Sequence, residues 1–288
     1  MSGLPLVSVL MTAFNRSKYI NDAIESVLSQ TFTDFELIIV DDKSSDDTYV
    51  KARSYAANDK RIRLFRNEFN LGQFENRNKA ATLSKGEFIM YVDSDDTIAN
   101  DAIFYINEIF MKFPNASFAS ICHDKTILLP RIMSPLEVMS RHFFEKSTLH
   151  IGPGGTAIRR SLFNKIEGFP TKYGPVGDMY YNICAASISS TILLPYNYLN
   201  YRRHANQEIN NKLNYLYNGY HYFNDVLALS NFPLKQHEID YLLRKNKRRF
   251  LVNTLKHYFE TLNFQETLSA YKLSGFTFKD FLIALFQL

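Results

Sequence analysis

Phe88-Ile89-Met90-Tyr91-Val92-Asp93-Ser94-Asp95-Asp96 is an apolar, strand-forming run that stops abruptly on three carboxylates within four positions. Side chains on extended backbone alternate between faces, so Asp93 and Asp95 point to the same side. Two like charges there, at the mouth of a buried strand, repel one another unless a cation lies between them. An oxygen-ligated divalent ion, Mg²⁺ or Mn²⁺, is the usual remedy, and it usually accompanies a phosphate-bearing substrate. The competing reading is a polar turn that caps the next helix, a routine duty of aspartate. An isolated Asp-x-Asp would favour the turn, so the decision rests on the surrounding sequence.

Upstream, Leu6–Met11 reads as a buried strand, and Ile20, Ala23, Ile24, Val27 and Leu28 then recur at helical spacing. Leu37–Val40 is a second, β-branched strand that ends in the acidic turn Asp41–Thr48. Arg61–Phe65 predicts a short third strand and Asn76–Ser84 a helix, which Gly86 breaks just before Phe88. Ala102, Ile103, Ile106, Ile109, Phe110 and Phe113 form another helical stripe, closed by Pro114. Helices alternating with strands that are apolar throughout predict a mostly parallel α/β sheet covered on both faces. Ligands of such sheets bind outside the carboxyl ends of the strands. Three polar clusters fall at those ends: Thr12-Ala13-Phe14-Asn15-Arg16, Asp41-Asp42, and Asp93-Ser94-Asp95. Their convergence on one cleft is hard to explain by capping alone.

Composition narrows the classes. The chain has 288 residues, 46% of them hydrophobic and 22% charged, enough for a large core and too few charges for a disordered chain. A net charge of +4 gives no ground for nucleic-acid binding. Cys122 and Cys184 are too far apart for zinc-ligand spacing or a disulfide framework, which fits a reducing cytosol. Met1–Pro5 carries neither a basic leader nor an apolar signal core, and no run reaches the roughly 20 apolar residues of a membrane span. Any membrane contact is therefore expected to be peripheral, at the inner face.

Beyond residue 120 the pattern loosens. His150–Thr156 is a glycine-rich turn whose Gly154 and Gly155 are read as shaping an acceptor-side reversal. A second Gly/Pro-punctuated loop, Thr171–Asp178, ends in a lone carboxylate, and Ile192–Pro195 reads as an edge strand. From about Asn210 the pattern turns helical and includes the basic run Arg244–Arg249. That run reads first as a solvated helix face and second as a surface attracted to anionic lipid. Nucleic acid is a poor third, because no nucleic-acid-binding fold accompanies the run.

At this density of motifs the chain resembles the family 2 inverting glycosyltransferases. Val7-Ser8-Val9 through Arg16, Phe35 through Thr48, Asn70-Leu71-Gly72 with Arg77-Asn78, and Lys85-Gly86-Glu87-Phe88 leading into Asp93–Asp96 carry the resemblance, which is dense over 5–115. Gly168-Phe169-Pro170, Gly177-Asp178 and Tyr201–His204 extend it more sparsely to about residue 205.

The resemblance implies a GT-A fold, a Rossmann-like sandwich, over 1–209, with a nucleotide-sugar-binding half (1–115), an acceptor-binding half (116–209) and a helical extension (210–288). It implies that Thr12, Ala13, Phe14 and Asn15 border the nucleobase and ribose. Asp42 would accept a hydrogen bond from the base, the N3–H in the case of uracil, and Arg77 and Ser94 would join the donor site. Asp95 would ligate Mn²⁺ or Mg²⁺ directly, Asp93 would contact the ribose or a metal-bound water, and His204 would complete the metal or diphosphate site. Asp178 falls where the family places its base, although Gly177 stands where the family often has Glu.

The expected activity is metal-dependent transfer, with inversion, from a UDP-sugar to a glycan or lipid-linked glycan acceptor in cell-surface polysaccharide assembly. Two alternatives share the fold. A sugar-nucleotide nucleotidyltransferase would usually carry glycine in the loop after the first strand, and Thr12–Arg16 has none. A non-catalytic glycan- or partner-binding module would be expected to have lost carboxylates that this chain keeps.

Overall fold

The computed structural model describes residues 6–204 and 212–286. In the first half β1 (Val7–Ala13), α1 (Ile20–Leu28), β2 (Phe35–Asp41), α2 (Thr48–Asn58), β3 (Ile62–Arg66), α3 (Gln73–Thr82) and β4 (Phe88–Tyr91) alternate as the sequence predicts. A two-residue strand β5 (Thr97–Ile98) and helix α4 (Ala102–Lys112) follow. The second half adds β6 (Ala116–Ile121), β7 (Arg131–Met133), α5 (Pro135–Ser140), β8 (Thr156–Arg159), α6 (Arg160–Lys165), α7 (Gly177–Ile188), β9 (Ser190–Leu194) and β10 (Leu199–Asn200). Four helices close the chain: α8 (Lys212–Leu227), α9 (Gln236–Thr261), α10 (Phe264–Ser274) and α11 (Phe278–Phe286).

The main sheet has the order β3-β2-β1-β4-β8-β6-β9-β7. Pairings β1–β2, β2–β3, β1–β4 and β6–β9 are parallel, while β8 runs antiparallel to both neighbours and β7 antiparallel to β9. The result is an α/β, GT-A-type sheet, mixed and mostly parallel, with helices on both faces. One buried cluster packs Val9, Met11, Leu37 and Met90 under α1 and α4; the other packs Leu10, Ile38, Ile89 and Tyr91 under α3 and α7 and continues into the C-terminal helices. Strands buried on both faces show no alternation, which is why they read as continuous apolar runs.

One expectation needs correction. Ile192–Leu194 is not at the edge, because β7 pairs outside β9 and covers it. The basic run is in part the solvated helix face expected of it: Lys245, Arg248 and Arg249, at i, i+3 and i+4, are exposed together, while Asn246 is buried. Lys247 turns to Asp280 of α11 at 2.8 Å, and Arg249 turns to Asn246 and the Phe223 ring. The boundary drawn between residues 209 and 210 lies outside the described residues, as does the Met1–Pro5 leader reading. The C-terminal helices share a core with the sheet: Phe223, Val226 and Leu242 are buried in the same cluster as Tyr91 and Tyr181. Among the described residues, no helix is long and apolar enough to cross a membrane.

Candidate active site

The carboxyl ends of β1, β2 and β4 meet in one place. The Ser94 hydroxyl donates to the Thr12 carbonyl at 2.8 Å, and the Asp42 amide donates to the Ala13 carbonyl at 2.7 Å. Asn15 holds a left-handed backbone (φ 53°), a conformation asparagine tolerates better than most residues. Its amide N–H reaches Ser44 Oγ at 3.0 Å, and its side-chain oxygen accepts the Ser45 N–H at 2.9 Å. The loops after β1 and β2 are thus stapled together, with the Phe14 ring left exposed beside them.

Asp42 is buried, and both its oxygens are engaged. Oδ1 accepts from the Asn67 side-chain amide (2.6 Å) and the Leu71 N–H (2.8 Å), while Oδ2 accepts from the Gly72 N–H (2.9 Å). A carboxylate offers about four acceptor positions, so Oδ2 keeps one more. Gly72 has φ 87°, a region that favours glycine, and it precedes α3. Asp42 therefore fixes the turn that aims α3, and with it Arg77, at the site.

Asp93 and Asp95 do not share a partner. Asp93 Oδ1 accepts from Arg77 Nη2 at 2.6 Å, whereas Asp95 Oδ2 accepts from Arg16 Nε and lies against His204 Nε2, each at 2.8 Å. His204 comes from far along the chain. The antiparallel pair β5–β10, with the Ala99 N–H on the Tyr198 carbonyl at 2.8 Å, carries Tyr201–His204 back across the carboxylates. The His204 ring stacks on Tyr19 at 4.8 Å between centroids. Next to these, Asp96 is buried and accepts the Arg202 N–H at 2.9 Å; burial, with Asp93 and Asp95 adding to it, pushes its carboxyl up to about 7.

Asp178 sits in the first turn of α7 and accepts the Met179 N–H at 2.8 Å. Burial pushes its carboxyl up to about 7 and the Asp93 charge adds to the rise, against the Arg77 guanidinium and the Met179 N–H. Arg77 is itself buried, bonded to Asp93, and close enough for Asp178 to raise its own affinity for the proton. Arg77 thus binds Asp93 directly, and its charge also acts on Asp178 of α7. Gly177 has a steric reason: a Cβ there would lie 2.7 Å from the Phe74 ring and 2.9 Å from the Pro170 carbonyl. A glutamate at this place has no room.

Three residues outside the sequence-predicted set join the cluster: Arg16, Tyr19 and Asp96. Arg16 was visible at the end of the β1 cluster, but nothing in its spacing identified Asp95 as its partner. Among the described residues no group of three or more His, Cys, Asp or Glu forms a ready-made metal cage. The Gly154 and Gly155 turn is shaped by packing: a Cβ on Gly155 would lie 2.2 Å from the Ile151 side chain. Cys122 and Cys184 are free thiols whose ionisation burial disfavours.

Known proteins bear on this geometry directly. The profile of glycosyl transferase family 2 matches residues 8–167, and the chain belongs to that family. It is 43% identical over 96 residues to the Escherichia coli UDP-Glc:alpha-D-GlcNAc-diphosphoundecaprenol beta-1,3-glucosyltransferase WfgD, covering 33% of this chain and 37% of that one. Over 100 residues it is 43% identical to the Escherichia coli chondroitin synthase, covering 35% of this chain and 14% of the relative. The aligned part thus spans well under half the length of either relative. Crystalline S. aureus TarS 1-349 in complex with UDP-GlcNAc superposes with a TM-score of 0.73 over 96% of this chain and 81% of that one, at 19% identity. That likeness establishes the fold.

Proposed function

We propose that the protein transfers a sugar, with inversion at the anomeric carbon, from a nucleotide-diphosphate sugar to a hydroxyl of a glycan acceptor. A UDP-sugar is the donor this reading favours, since WfgD is named for UDP-Glc and TarS was crystallised with UDP-GlcNAc. A lipid-linked acceptor fits the same reading, because the diphosphoundecaprenol named for WfgD is one. The observation that carries the proposal is the meeting of the β1, β2 and β4 carboxyl ends in one acidic site, with Arg77 bound to Asp93 at 2.6 Å and Asp178, in the first turn of α7, as a separate carboxylate.

In this reading Thr12–Asn15 and Asp42 border the base and ribose, with the exposed Phe14 ring offering a stacking surface. The donor set of Asp95 and His204 suits Mn²⁺ or Mg²⁺. Asp95 Oδ2 and His204 Nε2 face each other at 2.8 Å, one oxygen and one nitrogen donor that a divalent ion would take. Such an ion supplies Lewis-acid stabilisation to a leaving diphosphate. Asp95, His204 and Asp93 are the residues that would hold such an ion. Arg16, whose Nε is on Asp95 Oδ2 while its Nη1 donates to the Phe14 and Asn15 carbonyls, offers its Nε to phosphate when that oxygen is taken.

Asp178 takes the proton of the acceptor hydroxyl. Its carboxyl is basic enough at about 7 to accept a proton and is still largely ionised above that pH. Direct displacement then inverts the anomeric centre without a covalent nucleophile.

Peripheral contact with an anionic membrane belongs to the same proposal. Exposed Phe259, Leu262 and Phe264 at the α9–α10 corner give an apolar surface, with the exposed Lys256–Glu260 pair on the last turns of α9. The test is thermal unfolding of the protein with Mn²⁺ and a panel of UDP- and GDP-sugars. A cognate donor at 100 times its Kd raises stability by about 2.7 kcal/mol. A panel in which no nucleotide-sugar shifts the midpoint, with or without metal, overturns the proposal.

A further inference from the structure

Helix α3 reaches across the site to the loop that leads into α7. Asn78, the residue after Arg77, holds the backbone of Phe169 at two points. Its Nδ2 donates to the Phe169 carbonyl and its Oδ1 accepts the Phe169 N–H, each at 2.8 Å. A side-chain amide that donates to and accepts from one residue pairs with it as a neighbouring strand would, so the two bonds fix orientation as well as position. Gly168 permits the approach: its φ is 72°, and a Cβ there would lie 2.5 Å from Asn78 Oδ1.

The clamped segment is the support under the first turn of α7. The Phe169 ring stacks on Phe74 of α3 at 5.5 Å and on Tyr181 of α7 at 3.9 Å. Gly177 closes on the same elements, against the Phe74 ring and the Pro170 carbonyl, with no room for a Cβ. Asp178 follows Gly177 directly, so its seat is set by Phe74, Phe169 and Pro170. Between Pro170 and Gly177 the loop is anchored from the other side, where the Tyr173 hydroxyl and Lys172 Nζ donate to Asp225 of α8 at 2.6 Å and 2.9 Å. One stretch of α3 thus presents Arg77 to Asp93 and Asn78 to the approach of α7.

We propose that Asn78 is the positioning residue for Asp178: by clamping Phe169 it fixes the start of α7, and with it the base, relative to α3 and the donor half, without touching substrate. The consequence for turnover rests on the transferase reading. The purely local alternative, in which Asn78 only stabilises the turn at Gly168–Pro170, predicts a loss of stability with no specific effect at α7.

The test compares the full-length wild type with Asn78→Ala, Asn78→Gln and Gly168→Ala, the last disturbing the clamp from the loop side. Amide hydrogen exchange is followed by NMR and corrected for the change in global stability. In Asn78→Ala the amides of Phe169 and of residues 178–181 should exchange about tenfold faster while those of β1 and β2 keep their protection. Asn78→Gln, which keeps both hydrogen-bonding groups on a longer stem, should lose less. Hydrolysis of UDP-Glc or UDP-GlcNAc, whichever stabilises the protein, supplies the second reading. Asn78→Ala should lower kcat about tenfold with KM within about twofold, yet change kcat by less than about twofold when added to Asp178→Asn. Faster exchange at Phe169 with 178–181 unchanged, or an equal loss of kcat with and without Asp178, overturns the proposal. Should Asn78→Ala not fold, Asn78→Gln and Gly168→Ala carry the same comparisons. Should neither UDP-sugar bind, or Asp178→Asn turn over like wild type, the transferase reading falls by itself, and the exchange comparison alone decides whether Asn78 seats Asp178.

Discussion

Replacing Asp178 by asparagine should make the protein more stable at alkaline pH while removing its activity. The carboxyl stands at about 7 in the folded chain against 3.8 for an ordinary aspartate, chiefly because burial disfavours the charge. Between those values the folded state holds a proton that the unfolded state has released, so stability falls as pH rises through that window and the penalty is complete above about 7. At 1.36 kcal/mol per pH unit the difference corresponds to an upper limit of about 4 kcal/mol. Asparagine carries no such penalty, and its side-chain oxygen can still accept the Met179 N–H. The midpoint of Asp178→Asn should therefore match wild type near pH 4 and exceed it at pH 8 by up to about 8 °C, taking about 2 °C per kcal/mol for a chain of this length. Transfer at pH 8 should fall by roughly 10² to 10⁴ with donor binding preserved. Differential scanning calorimetry from pH 4 to 9, paired with turnover, reads both. A variant no more stable than wild type at pH 8 would refute the idea that this carboxylate is held ionised at a cost.

Wild-type turnover should rise with pH about a midpoint near 7, and Asp96→Asn, which removes the other carboxyl near that value, should leave the midpoint in place. Asp95→Ala should cost about 1–3 kcal/mol, because Arg16 and His204 both lose their acceptor, and should abolish the Mn²⁺-dependent part of UDP stabilisation. Gly177→Ala should cost about 1–3 kcal/mol in chemical denaturation, since its Cβ meets Phe74 and the Pro170 carbonyl; a neutral outcome would mean the α7 start shifts freely. Lys247→Glu places a carboxylate against Asp280 and should lower stability by about 1 kcal/mol, whereas Arg248→Glu, on an exposed residue of the same run, should be close to neutral.

The first half of the fold was readable because its strands are buried on both faces and its helices carry apolar stripes, so period and composition agree. The strands β6 and β8 were missed for a physical reason. Ala116–Ile121 contains two serines and follows a proline, and Thr156–Arg159 is four residues long behind a glycine turn, so neither shows a period that a window can detect. Yet β8 pairs with β4 and fixes where the acceptor half begins. At the site, the strand-end carboxylates could be read from local pattern. The arrival of His204 at Asp95 depends on two two-residue strands, β5 and β10, and Arg16 and Tyr19 complete that contact from α1's approach. The basic run was legible as a solvated face as far as Lys245, Arg248 and Arg249, which share one exposed side of α9, but the turn of Lys247 toward Asp280 depends on the distant α11.

The central claim is direct transfer from a nucleotide-sugar with Asp178 as base. It is tested most directly by following the anomeric proton of the donor that stabilises the protein, in real time by ¹H NMR with diamagnetic Mg²⁺ and a glycan acceptor. An α-linked UDP-sugar should give a β-linked product as the first formed species, at a rate that Asp178→Asn lowers by at least a hundredfold. An α-linked product, or a β product formed at an unchanged rate by Asp178→Asn, would contradict the account.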